Sequence, residues 1–539
     1  MQKLKKLLDA ITAKPYPEIQ QLTGDFQFPR YQFRFLKIQG SPGANPASIV
    51  NLKVALEACE LPAQFLSSAH CRLAVADFLI RRFKRGIEKF AQQNRGKEGS
   101  GSFNTIELSQ KMLERDSVLF SAQNIELRFI LSLPGKGAGG SKFDGQQAWL
   151  MLAQELALIV DYALYYKDYS PATKKQFAQY VDVQIKRQAI KAYMQRKGYI
   201  VFIANGAQLP RRSGIDDRPA EGAAITCFQA PESLQVDIPL GDHCSIRGMA
   251  LKAGITCITG GGYHGKSTLL QAILAGVYAH IPGDGREYIV TREDAVFIRA
   301  EEGRSIRQVD ISPFIGLLPN GVNTQQFSSE NASGSTSQAA SIVESLEIGS
   351  RLLLFDEDTC ASNFLFRDAL IEKVLDCVNE PIKPLYSVVR SMWQQQDVSM
   401  IFVVGGLGRF LQKAETCLLM NNYQCQDISS KVRAVLGEIA KEKSAEPLHF
   451  AAHRRLTADN FSPVYINDRL KKEVPIRIKP LRNAPRQLEY GMDLINLEAL
   501  PQIVEAPQML SVGYCLLRIR QAMQNSPDKA QTINDWLHW

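Results

Sequence analysis

The sequence predicts an α/β fold: a central domain on a parallel sheet, with α+β segments on either side. Three observations predict it. An apolar run at 254–259 leads into Gly260-Gly261-Gly262-Tyr263-His264-Gly265-Lys266-Ser267, and Leu269, Leu270, Ile273 and Leu274 follow at helical spacing. A second apolar run, Leu352-Leu353-Leu354-Phe355, ends in Asp356 and Glu357. Strand-like and helix-like stretches alternate from about residue 220 to residue 440, the pattern of a strand–helix–strand domain. The expected divisions are 1–165, 166–445 and 446–539, in keeping with a length of 539 residues.

Composition sets the outer bounds. Hydrophobic residues make up 45% and charged residues 22%, so ordinary folded cores are expected. No apolar run reaches the roughly 18 residues of a membrane span, so no direct membrane insertion is expected. The ten cysteines form no C-x-x-C pair and read as free thiols of a reducing, cytoplasmic setting. The net charge of +8 permits an acidic partner without requiring one. His449 and His453 have no nearby Cys partners and read as ordinary histidines rather than a zinc site.

In chain order, Leu4, Leu7, Leu8 and Ile11 predict a short helix, and the alternating stretch Phe26 to Phe35 predicts strand. Residues 72–94 predict a helix carrying Arg81, Arg82, Lys84, Arg85 and Lys89, with Arg95 and Lys97 beyond it. Those charges read either as a solvated face or as contacts to a phosphate backbone. Glu126 to Leu133 is strand-like, and the glycine-rich Lys136 to Lys142 lacks the G-K-[ST] ending and reads as a surface loop. Residues 146–167 and 171–197 predict helices. Leu209 to Pro219, dense in charge, Gly and Pro, reads as a plain loop or as an ordered functional one. Near the C-terminus, residues 465–486 hold seven basic side chains, Arg469, Lys471, Lys472, Arg477, Lys479, Arg482 and Arg486. Val474 to Lys479 alternates as a strand with one basic face, which suits single-stranded nucleic acid. The tail from Ile503 predicts helix.

The central glycine stretch matches G-x-x-x-x-G-K-[ST], the phosphate-binding loop of P-loop NTPases, in the strand–loop–helix context that motif requires. Glycines let backbone N–H groups close around phosphate oxygens, and the following helix adds its positive N-terminus. Gly260 to Gly265 and Thr268 would line the cradle, Lys266 would reach the β- and γ-phosphates, and the Ser267 hydroxyl would hold Mg²⁺. Asp356, 90 residues after Lys266, would hold the same ion, and Glu357 would orient and polarise the attacking water. The expected ligands are ATP and Mg²⁺, with Lys266 and Glu357 as the catalytic pair.

Ser333-Gly334-Ser335-Thr336-Ser337-Gln338 precedes a predicted helix, Ala339 to Leu346, and Ser333 lies 23 residues before Asp356. The stretch resembles the signature loop of ABC-type ATPases, with the usual Gly-Gly-Gln changed after Gly334. Asp358 to Asn363 would be the D-loop. A switch histidine is expected after the strand Met400 to Val404, yet Gly405-Gly406-Leu407-Gly408-Arg409 follows. No adenine-stacking aromatic stands out upstream, with Phe228 the nearest candidate.

At these residues, together with Leu209–Pro219, Ile281–Glu287, Val309–Ile315 and Leu354–Thr359, the chain resembles the predicted ABC-class ATPases over roughly residues 20 to 510. That resemblance implies ATP binding, a nucleotide-sandwich homodimer in which Ser333, Gly334 and Ser335 cap the γ-phosphate held by the opposite subunit, no transmembrane partner and a link to RNA. It also places Arg304 and Asp310 where a Q-loop equivalent would sit. The expected function is a cytoplasmic ABC-class ATPase whose flanking domains hold RNA or single-stranded nucleic acid. The alternatives are a nucleotide-gated interaction protein with little hydrolysis, and an ATPase subunit of a transporter.

Overall fold

The computed structural model describes residues 1–41, 47–92, 95, 100–137, 140–222, 225–241, 244–368, 380–437, 450, 454–455, 465–467, 472–474, 478–481, 484–491, 493–525 and 535. They form two compact units, Met1–Lys186 with Ala279–Pro282, and Arg187–Tyr278 with Gly283–Trp539.

The first unit opens with α1 (Gln2–Ile11), which buries Leu4, Leu8 and Ile11 along one face. Its sheet comprises β1 (Asp25–Gln27), β2 (Gln32–Lys37), β3 (Ser48–Ala55), β4 (Ser102–Asn104), β5 (Val118–Phe120) and β6 (Asn124–Ser132). The order is β1-β2-β3-β6-β4, with β5 also on β6, and every pairing is antiparallel. Ile125, Leu127, Phe129 and Leu131 alternate along β6 and are buried. Helix α2 (Ala69–Phe90) starts at Ser68, whose hydroxyl accepts from the Cys71 N–H at 3.1 Å. Phe83 on its buried face meets Phe129 with ring centroids 5.3 Å apart. Further helices follow, α3 (Leu156–Leu164) and α4 (Pro171–Lys197), the latter with its residues from Arg187 onward in the second unit.

The basic run on α2 is not one exposed face. Arg82 is buried: its Nε donates to the Tyr162 carbonyl at 2.8 Å, and its guanidinium lies 3.9 Å and 4.4 Å from the centroids of Tyr162 and Tyr169. Arg81 is paired at 2.5 Å with Asp77, whose side chain is wholly buried, and also donates to the Ser109 carbonyl at 2.7 Å. Arg95 is buried against Glu155. The reading of Arg81 and Arg82 as nucleic-acid contacts is therefore corrected, because both guanidinium groups are spent on internal acceptors. Lys84 and Arg85 are exposed.

The second unit is built around two larger sheets. One contains β7 (Tyr199–Ala204), β8 (Gln235–Gly241), β9 (Cys244–Lys252) and β11 (Ile289–Thr291), antiparallel in the order β8-β9-β7-β11. The other contains β10 (Ile255–Thr259), β12 (Ala295–Ile298), β13 (Leu352–Asp356), β14 (Ser399–Val403), β15 (Thr416–Asn421) and β16 (Gln424–Asp427), in the order β12-β13-β14-β10-β15-β16. It is parallel except for β16, which returns antiparallel through a hairpin. Alternate residues sort onto two cores. Leu352, Leu354, Ile401 and Val403 face Leu269, Leu270 and Ile273 of α5 (Lys266–Ala275). Leu353, Phe355, Met400 and Phe402 face α6 (Gly334–Glu347) and α7 (Leu385–Gln396) through Ala339, Ile342, Val389 and Met392. Burial on both faces explains the continuous apolar runs that marked these strands.

Toward the C-terminus, β17 (Ile478–Leu481), β18 (Ala484–Tyr490) and β19 (Asp493–Asn496) form an antiparallel sheet, followed by α8 (Ala506–Asn525). Lys479 on β17 is exposed. Lys472 belongs to a separate short strand, Lys472–Val474, paired with Tyr465–Asn467. Lys97, Arg469, Lys471, Arg477, Arg482, His449, His453 and the Ala138-Gly139 part of the glycine-rich loop lie outside the described residues. No described helix is long and apolar enough to cross a membrane.

The two roles of α2 arginines are separable by denaturation. Arg82→Ala should cost about 2 kcal/mol of stability, because it removes a buried cation–π pair and leaves a carbonyl without its donor. Arg85→Ala should change stability by under about 0.5 kcal/mol. Equal effects would overturn the assignment.

Candidate active site

The C-terminal ends of β13, β14 and β10 lie side by side. Asp356 is in register with Val403, and Val403 with Ile258, so Asp356-Glu357, Gly405-Gly406 and Gly260–Ser267 all leave the sheet at one edge. In open α/β sheets, ligands bind at this edge.

The phosphate loop depends on glycine at two positions. Gly260 has φ +141°, and a Cβ there would stand 2.2 Å from the Met420 carbonyl oxygen. Gly265 has φ +95° at the N-cap of α5, and a Cβ there would approach the Tyr423 ring at 3.1 Å. Lys266 folds back over the loop, with Nζ donating to the Gly260 and Gly261 carbonyls at 2.8 Å and 2.7 Å. Tyr263 is fully exposed at the tip with φ +63°. Gly261, Gly262 and Ser267 are exposed, and His264 and Thr268 are half-buried.

The Ser267 hydroxyl stands near enough to Asp356 to favour its ionised carboxylate, which brings the two motifs together. Asp356 is 5% exposed, and burial raises its pKa against the opposing bonds from Ser267 and the Asp358 N–H. A buried carboxylate beside a hydroxyl, with too little positive charge to offset its desolvation, fits a divalent cation. Glu357 is half-buried, and its Oε2 accepts from the Gly405 and Gly406 N–H groups at 2.7 Å and 3.1 Å.

The Ser333 loop caps α6. The Ser333 hydroxyl accepts from the Thr336 N–H at 3.4 Å. Gly334 and Ser335 are buried, and the Ser335 hydroxyl donates to Asn363 Oδ1 at 2.9 Å. Gln338 Oε1 accepts from the Ala361 N–H at 2.9 Å, so the loop and the 358–363 stretch are stitched together. Of the three signature-loop residues only Ser333 presents its side chain to solvent; the Ser335 side chain is turned inward.

Other expectations meet local explanations. Phe228 is 2% exposed in the core with Ile258 and Leu269, so the reading of it as an adenine-stacking ring is corrected. Arg304 donates to the Ser341 hydroxyl at 2.6 Å and pairs with Glu344, and Asp310 accepts from the Ser312 N–H at 3.0 Å. Leu209 to Pro219 is an ordered hairpin: Arg211 grips the buried Asp284 at 2.9 Å and 3.2 Å, Arg286 donates to the Leu209 carbonyl at 3.1 Å, and the Arg212 N–H meets the Arg218 carbonyl at 3.0 Å.

Sequence reading missed the turn between β15 and β16. Asn422 and Tyr423 have φ +48° and +64°, the two-residue turn suited to strand twist. The Asn422 N–H donates to His264 Nδ1 at 3.1 Å and Tyr423 packs on Gly265, so this turn braces the phosphate loop. The available signal was the polar Asn421-Asn422 pair ending an apolar run.

Because the raised pKa of Asp356 favours its protonated form, its ionised form at neutral pH subtracts stability, and removing the charge should restore it. Asp356→Asn should melt higher than the unaltered protein without nucleotide, by a few degrees, and lose any Mg²⁺-dependent gain on adding ATP. A lower melting temperature would remove the desolvation argument.

Two family models match the chain. The model of a P-loop domain of ABC ATPases matches residues 173–455, and that of the N-terminal region of ATPases of the ABC class matches residues 1–167. An uncharacterized protein of Methanocaldococcus jannaschii is 29% identical over 252 residues, 45% of this chain and 54% of that protein, so the chain spans about half the length of this curated relative. Similar solved structures include an inward-facing metal-chelate type ABC transporter, at 12% identity and TM-score 0.26 over 56% of this chain and 100% of that one. Another is cbiO1 of Clostridium perfringens, part of the ABC transporter complex cbiONQ, at 12% identity and TM-score 0.26 over 44% of this chain and 92% of that one. With its central half matching the P-loop model and its N-terminal part matching the class-specific one, the chain belongs to the family of ABC-class ATPases.

Proposed function

We propose that the protein is a cytoplasmic, Mg²⁺-dependent ATPase that works as a head-to-tail dimer. The observation that carries this reading is the junction of Ser267 and Asp356, with Glu357 next in the chain. In this reading Gly260 to Gly265 and Thr268 cradle the phosphates, and Lys266 exchanges the Gly260 and Gly261 carbonyls for β- and γ-phosphate oxygens. Ser267 and Asp356 would hold Mg²⁺, which neutralises phosphate charge when bound. Glu357 takes a proton from the attacking water as its oxygen bonds to the γ-phosphorus, and the β–γ bridging bond breaks to leave ADP and phosphate.

In the dimer, the exposed Ser333 hydroxyl and the α6 N-terminus, with the Ser335 amide, face the partner's γ-phosphate. Three functional segments, 1–165, 166–445 and 446–539, fit a central motor with flanking cargo domains. With Arg81 and Arg82 committed internally, exposed Lys84, Arg85 and Lys479 support the reading of single-stranded RNA as cargo. A second reading, a nucleotide-gated interaction protein with little turnover, is favoured by Glu357 resting on backbone amides where a switch histidine is absent.

ATP turnover by the purified protein separates the two. Mg²⁺-dependent phosphate release that falls at least about 100-fold in Glu357→Gln supports the enzyme. Nucleotide binding without turnover supports the gate. For the cargo, filter binding of labelled single-stranded RNA should weaken steeply as salt rises and weaken further in a Lys84→Ala, Arg85→Ala variant. Lack of binding at low salt would remove RNA.

A further inference from the structure

The stretch Gly405-Gly406 stands where a switch histidine would, and the proposed function leaves it without a task. Its geometry supplies one. Strand β14 lies between β13 and β10, so its C-terminal continuation emerges between Glu357 and the phosphate loop. The Val404 N–H bonds the Ile258 carbonyl at 2.9 Å, which holds this continuation against the strand that feeds Gly260. The next two N–H groups, Gly405 and Gly406, converge on one oxygen, Glu357 Oε2, at 2.7 Å and 3.1 Å. Two successive amides aimed at one point make an anion site, and here the anion is a side chain of the protein itself.

Glycine is not required at these positions by backbone angle, since neither lies in the left-handed region. Space requires it. A Cβ on Gly406 would stand 3.3 Å from Glu357 Oε1, and one on Gly405 would stand 4.0 Å from Oε2. A side chain at 406 would therefore crowd the carboxylate resting on the amide pair.

Resting on the reading of this site as an ATPase centre, we propose that the Gly405 and Gly406 amides are its γ-phosphate sensor: they hold Glu357 in the nucleotide-free site and pass to a terminal phosphate oxygen when a triphosphate binds. The chemistry of the exchange is even. The amide pair trades one anionic oxygen for another, so neither donor loses its acceptor. Glu357, once released, is free to accept a proton from water. A diphosphate has no terminal γ-oxygen, so it leaves the carboxylate on the amides and the site inactive. This would replace the ring nitrogen of a histidine with two backbone donors, which do not titrate.

The test compares ATP and ADP affinities, with a non-hydrolysable ATP analogue and Mg²⁺, in the full-length protein. Gly405→Pro deletes the shorter of the two donors, two residues beyond the end of β14 at Val403. It should weaken the ATP analogue about tenfold and leave ADP unchanged, the effect of one lost amide to a charged oxygen. Gly406→Ala keeps both donors and crowds only the carboxylate, so it should keep the preference for triphosphate while slowing turnover. A Gly405→Pro protein that binds ADP normally and keeps the full triphosphate preference overturns the sensor alone. Equal losses for both nucleotides in Gly405→Pro, or loss of the preference in Gly406→Ala, would also overturn it, since the stretch would then act through structure. If the unaltered protein binds neither nucleotide, the ATPase reading fails and the sensor falls with it.

Discussion

The parallel register of β13, β14 and β10 is the constraint on which the site depends. Asp356, Val403 and Ile258 share one rung, so two carboxylates, two glycine amides and the phosphate loop emerge together although they are far apart in sequence. Burial on both faces locks that rung. A slip of one residue would exchange Leu352 and Leu354 with Leu353 and Phe355 between two cores of different shape, and would draw Asp356 away from Ser267. The turn at Asn422-Tyr423 braces the same edge from the far side of β10.

Polar groups at this edge are held by interactions within the protein. Lys266 caps two carbonyls of its own loop, Ser267 serves Asp356, and Glu357 rests on two amides. Most polar groups of this site therefore have partners within the protein. A nucleotide triphosphate would have to replace each of those bonds with one at least as good, so its affinity measures the difference between two satisfied states rather than the sum of new contacts. Asp356 stands apart, because its burial is incompletely compensated. It is the place where an added cation would relieve an existing cost.

The N-terminal unit shows how a charge run misleads. The five basic residues from Arg81 to Lys89 look alike in one dimension, yet Arg82 lies against two tyrosine rings and Arg81 neutralises a buried Asp77. Arginine suits these positions because its planar guanidinium can stack and donate in several directions at once. The charge that remains for an external partner is smaller than composition suggests.

The sequence by itself determined the central fold class, the phosphate loop, the strand ending in Asp356-Glu357 and the helix after Ser333. Each rests on local rules: the φ that only glycine accepts readily, the apolar run of a doubly covered strand, the hydroxyl at a helix start. Only the tertiary structure decided that Ser335 turns inward to Asn363, that Phe228 is core, that Arg82 is packing rather than contact surface, and that Glu357 meets the amides of Gly405 and Gly406. Those outcomes depend on which strands become neighbours. Backbone amides carry no residue identity, and burial is a property of the assembled chain, so neither leaves a readable mark in the order of residues.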